Sequence, residues 1–267
     1  MGSPKVTKPG LAGAMIIVLA AALDLYFAPG IGWAAGGTDQ GKVGYAILVE
    51  GSIKGDEAGT ADYHVTTRYV YYCLQQRGIK ADDIYYLTSN PAMPQRRGNP
   101  TKWAVEYALT DWAATKMSTD PAPLYFIFVD HGTYQTLYID QEEVTASDLN
   151  NWLTSLESRI RISKRIVLII GACYAGSFLP AVSKPGRAII TSTGPGEESV
   201  RGPSQVNDQP RDGEFFVSQF FSFWAGGKSL KESFQYAVKV LEEFGPIGNQ
   251  EEGVVNQHPL WDDQGDH

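Results

Sequence analysis

Five short apolar stretches punctuate the chain, at 43–49, 84–87, 124–129, 166–170 and 187–191, and between them apolar positions recur every three or four residues instead. Stretches this short, rich in Val, Ile, Tyr and Phe and lacking polar alternation, have the pattern of strands buried on both faces. The periodic segments predict helices. The first is capped by Thr60 or Asp62, carries Val65, Tyr69, Tyr72 and Cys73, and stops at Gly78. A second is expected over 101–117 with Trp103, Val105, Ala108, Leu109 and Trp112, and a third over 147–158 with Leu149, Trp152, Leu153 and Leu156 on one face. A short helix is expected at 174–179, and two amphipathic helices at 214–224 and 230–244. Residues 136–139 read as a strand outside the main sheet. Strand and helix alternating in this way predict an α/β fold, a doubly wound parallel sheet in one domain spanning 36–250. The polar stretch 201–212 has no periodicity and reads as a mobile surface loop, and 251–267 as an acidic irregular tail.

The first 35 residues follow neither pattern. Lys5 and Lys8 lead into an apolar or small run from 11 to 23, and Gly32 and Ala34 supply small residues ahead of a cleavage point before Ala35. Asp24 ends that run short of the roughly 20 residues needed to span a bilayer. This is the layout of a secretory signal; the alternative keeps residues 11–35 as a membrane anchor. Both predict export, to a periplasmic or extracellular location or to a membrane-anchored one. The 267 residues carry a net charge of -8 with no basic run longer than a pair such as Arg96-Arg97, so no nucleic-acid partner is expected. No spacing pairs Cys73 with Cys173, and both read as free thiols.

Candidate chemistry gathers at the ends of two strands. The stretch 166–170 delivers Gly171-Ala172-Cys173, and 124–129 delivers Asp130-His131-Gly132. If these strands are parallel neighbours, thiol and imidazole emerge at the same carboxyl edge, where ligands reach an open α/β sheet. An imidazole beside a thiol raises its thiolate fraction or carries its proton to a leaving amine. Gly132 lets the backbone approach closely, and its N–H together with that of Cys173 is a candidate oxyanion hole. Taken singly, the cysteine reads as core packing and the histidine as a core or capping residue; their pairing points to catalysis. His64 reads as pocket-lining or solvated. Asp130 reads as structural, since neighbours on a strand face opposite ways. Asp262 to Asp266 lack the later glutamate of a calcium loop and read as solvated, so no metal site is assigned.

The segments Asp130-His131-Gly132 and Ala172-Cys173-Tyr174-Ala175-Gly176-Ser177-Phe178 resemble the His-Gly and Ala-Cys-x-Ser-Gly-Ser blocks of the legumain-type cysteine peptidases. These are caspase-fold enzymes related to the catalytic subunit of the glycosylphosphatidylinositol transamidase. The resemblance runs over 43–244, and the ending Asp262-Asp263-Gln264-Gly265-Asp266 is similar to one found in bacterial members. It implies a caspase-like three-layer sandwich, a mostly parallel central sheet flanked by helices. It also implies a His131/Cys173 dyad, no metal or organic cofactor, and a peptide or protein substrate. The reaction implied is endopeptidase cleavage or transamidation through a thioester. Ala175 stands where the family has serine. Glu198 and Ser199 match residues lining the family's S1 pocket, whereas its arginine before the first long helix has no counterpart, Asp62 or Tyr63 falling there instead. With Asp62 and Glu198 and no arginine, the pocket is expected to be acidic and to favour a basic P1 residue over asparagine. Two other readings stand beside this one. A cysteine α/β hydrolase requires Gly-x-Cys-x-Gly and a histidine after the cysteine, where the chain offers Gly171, Gly176, His258 and His267. A non-catalytic caspase-like binding module requires neither.

Overall fold

The computed structural model describes residues 42–53, 60–93, 95–160, 166–205, 209–252 and 257–263; the segment 1–35, expected to be a signal or anchor, lies outside them. Among the described residues no helix is long and apolar enough to cross a membrane. The chain begins with β1 (Tyr45–Glu50), β2 (Ser52–Ile53), α1 (Thr60–Gln76) and β3 (Ile84–Leu87). The helix expected over 101–117 is α2 (Lys102–Tyr107) and α3 (Ala114–Thr119) with a π-helical turn, Ala108–Ala113, between them. Then come β4 (Leu124–Val129), β5 (Gly132–Thr133), β6 (Thr136–Asp140), β7 (Glu142–Thr145), α4 (Ala146–Arg159) and β8 (Ile166–Gly171). A 3-10 turn, Ala175–Phe178, runs into α5 (Leu179–Val182), followed by β9 (Arg187–Thr191), α6 (Phe215–Ala225), α7 (Leu230–Glu252) and β10 (Leu260–Asp262).

Six strands form the main sheet in the order β10-β9-β8-β4-β1-β3, parallel throughout except for β10. Burial on both faces explains why the apolar stretches are unbroken. Ile47, Phe126 and Leu168 face one core with α2 to α5, while Leu48, Ile127 and Ile169 face another with α1, α6 and α7. Helices therefore cover both faces, and every strand position meets apolar side chains. The second sheet, built from β2, β5, β6 and β7, contains the strand expected at 136–139.

Two expectations about the carboxyl end are corrected. The last helix runs on from 244 to Glu252, and the segment read as an irregular tail contributes β10, which pairs Leu260, Trp261 and Asp262 with Thr191, Ile190 and Ile189. The acidic composition hid a strand of three residues whose anchor is Trp261, packed edge-on against Phe234 of α7 at 5.6 Å.

Candidate active site

The carboxyl edge of the sheet is where the site is built. Strand β4 pairs with β8 so that Val129 lies against Gly171, and Asp130 N–H continues the ladder onto the Gly171 carbonyl at 3.1 Å. His131 and Cys173, each two residues further on, therefore leave the sheet level with one another on strands about 4.8 Å apart. Gly132 closes over the thiol's backbone: a Cβ there would stand 2.8 Å from the Cys173 carbonyl oxygen. Only glycine permits that approach. Asp130 bends the chain between strand and site with φ 151°, an uncommon value for a residue with a side chain. Its buried carboxylate accepts the His131 backbone N–H at 2.7 Å and lies 3.6 Å from His131 Nε2. The expectation that Asp130 faces away from His131 therefore fails, because the backbone is no longer a regular strand there. On the other side of the imidazole the buried Tyr63 ring makes an edge contact at 5.1 Å.

The Cys173 turn is stitched to the loop that follows β9. Ala172 N–H donates to Ser192 Oγ at 3.2 Å, Ala175 N–H to Thr193 Oγ1 at 2.9 Å, and Tyr174 N–H to the Glu197 carbonyl at 2.6 Å. Gly176 is pressed against this loop, a Cβ there falling 2.8 Å from Pro195 N and the Thr193 carbonyl oxygen. Ala175 replaces the family's serine without disturbing this turn, since Ser177 Oγ donates to the Tyr174 carbonyl and accepts the Gln135 N–H. The loop then returns Ser199 to the Cys173 thiol, its N–H 3.4 Å and its Oγ 3.6 Å from Sγ. Burial pushes the Cys173 thiol pKa up; the Ser199 N–H and hydroxyl pull it back, while Glu198 and Glu214 push it further, so the net direction is upward.

Of the expected pocket residues, Ser199 touches the sulfur, while Glu198 is exposed and acts on the thiol only through its charge. Asp62 is buried, and it is not unopposed. Its carboxylate accepts the Arg211 backbone N–H at 2.9 Å and stands 3.4 Å from Arg201 Nη1 and 3.9 Å from Arg211 Nε. Asp62, expected to make an acidic pocket, therefore has guanidinium groups beside it, brought by Arg201 and Arg211 of the stretch 201–212. That stretch is closed at its neck by Gly202 N–H on the Asp212 carbonyl at 2.7 Å. Val200 is fully buried, and Arg201 follows it two positions beyond Ser199.

Three further groups escaped the sequence. Tyr63 packs on His131, and its hydroxyl pKa is raised by burial and by the nearby Asp130. Glu214 is fully buried at the start of α6, where Oε2 accepts the Val217 N–H at 2.7 Å and Oε1 has no hydrogen-bond partner among the described residues. Burial pushes its pKa up to about 8. Asp212, beside it, is pushed up to about 6 by burial, against the pull of Ser218 and Thr66. His64 is engaged elsewhere, its Nδ1 2.7 Å from the buried Glu50 carboxylate. His258, the histidine an α/β hydrolase would use, has its ring on Glu197 at 2.6 Å.

Residues 114–239, which include His131, Cys173, Ser199, Arg201 and Glu214, match the Peptidase C13 family. No curated protein matches the chain. Among solved structures it is similar to the crystal structure of caspase-1 from Spodoptera frugiperda, at 16% identity and a TM-score of 0.57, over 84% of this chain and 88% of that one. The likeness shows the fold, which is caspase-like. Fold and family match together support a cysteine peptidase.

Proposed function

We propose that the protein is a cysteine endopeptidase with Cys173 as nucleophile and His131 as proton carrier. The observation that carries this reading is the register of Val129 against Gly171, with Gly132 closed over the Cys173 carbonyl. The resting thiol keeps its proton, because burial and the flanking carboxylates outweigh Ser199. With substrate bound, His131 takes that proton as Sγ bonds to the scissile carbonyl carbon, and the carbonyl oxygen gathers negative charge. The N–H groups of Gly132 and Cys173 are the proposed donors to it. The C–N bond then breaks, the imidazolium passes its proton to the leaving amine, and a thioester remains on Cys173. Water, deprotonated by His131, attacks the thioester; the C–S bond breaks and the thiol is restored. An amine in place of water gives transamidation. Asp130 holds the backbone and ring of His131 in place throughout.

Ser199 and Arg201 are proposed to line the P1 pocket. Because Asp62 already balances Arg201 and Arg211, the basis for a basic P1 preference is gone. A P1 carboxylate or carboxamide suits a guanidinium edge better than a second cation does. The leader-like residues 1–35 support an exported or membrane-anchored enzyme. A P1-diverse peptide library tests the reading. Wild type should cleave after Asp or Asn in preference to Arg or Lys, and Arg201→Ala should erase that preference. Cleavage should vanish in Cys173→Ala and fall about 100-fold or more in His131→Ala. Unchanged turnover by Cys173→Ala overturns the assignment, and a wild type that neither cleaves nor reacts with an acyloxymethyl ketone probe is the binding module instead.

A further inference from the structure

The segment that enters β10 reaches the loop carrying Ser199. Gln257 spans the two ends of that loop with one carboxamide: Oε1 accepts the Val200 N–H at 2.9 Å, and Nε2 donates to the Ser192 carbonyl at 3.0 Å. Only an amide side chain offers donor and acceptor together in this way. The next residue holds the middle of the loop. His258 N–H donates to Glu197 Oε2 at 2.7 Å, and its Nδ1 lies 2.6 Å from Glu197 Oε1. Glu197 in turn accepts the Gly194 N–H on its carboxylate at 2.8 Å and the N–H of Tyr174, the residue after the nucleophile, on its carbonyl. A continuous set of hydrogen bonds thus runs from the tail through Glu197 and Val200 to both sides of Cys173. The antiparallel pairing of β10 with β9 and the seat of Trp261 on Phe234 fix its outer end.

We propose that Gln257 and His258 are positioning residues for the thiol site: the carboxyl-terminal segment is a strap that fixes residues 192–200, and through them sets Ser199 on the Cys173 sulfur and Arg201 at the pocket mouth. It rests on the peptidase reading for its effect on turnover, but not for its effect on the thiol. The groups that act on Cys173 are His131 from the end of β4, Ser199 and Glu198 from the loop after β9, Glu214 from the start of α6, and Tyr63 from α1. Of these, Ser199 donates its backbone N–H to the sulfur at 3.4 Å, and a donor to the sulfur favours the thiolate. Slackening the strap removes that help without touching Glu214, Tyr63 or His131, whereas Glu198 shares the loop with Ser199.

The test is the pH dependence of Cys173 alkylation by iodoacetamide, measured on the full chain, with Cys73→Ser as background so that one thiol reports. Gln257→Ala and His258→Ala should each shift the alkylation midpoint to higher pH. Peptide turnover should fall about tenfold in Gln257→Ala, as expected for one or two lost loop hydrogen bonds, with the larger part in KM. Gln257→Glu, which keeps the acceptor and loses the donor to Ser192, should fall between wild type and Gln257→Ala. A folded Gln257→Ala with the wild-type alkylation profile and KM overturns the proposal. Should Gln257→Ala fail to fold by circular dichroism, His258→Ala decides alone, since its side chain is largely exposed and its ring pairs with Glu197. An alkylation shift in a protein whose wild type cleaves no peptide leaves the strap standing and removes the peptidase reading. Normal cleavage with unshifted variants does the reverse.

Discussion

Glu214 couples the inside of the protein to its reactive thiol. It lies against Gly171, two residues before Cys173, and caps α6 with one oxygen while the other stays unbonded among the described residues. Burial holds its pKa near 8, well above its value in an unfolded chain. A carboxyl group whose pKa rises on folding binds its proton more tightly in the native state. Its stabilisation is therefore complete below pH of about 4, and is lost as pH rises toward 8. Glu214→Gln keeps the shape and abolishes that titration. Thermal melts should show the variant gaining on wild type steadily between pH 5 and pH 8, as estimated from those two limits to within about a unit. Because the glutamate's charge also raises the Cys173 pKa, alkylation of Cys173 at pH 8 should be faster in the variant. Of the site's residues, His131 and Cys173 were legible because each ends an apolar strand. Arg201, Tyr63 and Glu214 were not, because their roles arise from packing between segments far apart in sequence, as when Arg201 meets Asp62.

At the scale of elements, the strands were legible wherever both faces are buried. Continuous apolar character then overrides every weaker signal, which is why 84–87, 124–129 and 166–170 needed no correction beyond a residue. The helix expected from 147 starts at Ala146, because a cap before it went unread in the sequence. Thr145 and Asp148 form a reciprocal capping box at the start of α4, Thr145 Oγ1 accepting the Asp148 N–H at 3.1 Å and Asp148 accepting the Thr145 N–H at 3.0 Å. Thr145→Ala removes one half of it and should lower stability by about 1 kcal/mol in urea titrations. The π-helical turn Ala108–Ala113 and strand β10 were illegible for opposite reasons. The former keeps a helical pattern of apolar positions while gaining a residue in its turn, and the latter is too short and too polar-flanked to register as a pattern.

At the scale of the whole molecule, the sheet is tied to the helices of one face through the buried Arg187. Fully buried at the start of β9, it reaches Glu157 at 2.6 Å, Asn150 at 2.9 Å and the Val182 carbonyl at 2.9 Å, tying the sheet to α4 and α5. Arg187→Ala leaves these groups without their partner and should cost about 3 kcal/mol or more at neutral pH. Burial raises the Glu157 pKa, but hydrogen bonds from Arg187 and Lys184 outweigh it, so the net shift is downward. A depressed carboxylate stabilises above its unfolded pKa and stops doing so as pH falls through its folded one. The gap between wild type and Arg187→Ala should therefore narrow below about pH 4 in denaturant titrations.

Strand β10 has one more consequence at this scale. A six-stranded open sheet has two margins at which a foreign chain can add itself, and such margins seed aggregation unless covered. On the β3 side the chain covers its own margin, with Arg97 N–H on the Tyr86 carbonyl at 2.7 Å and Thr88 N–H on the Gly98 carbonyl at 3.1 Å. On the other side β10 lies along β9, over Ile189 and Ile190. The segment proposed to steady the thiol loop thus continues directly into the three residues that cover the β9 edge. A proteolytic nick ahead of residue 257 would give a protein that loses its solubility along with its reactive geometry.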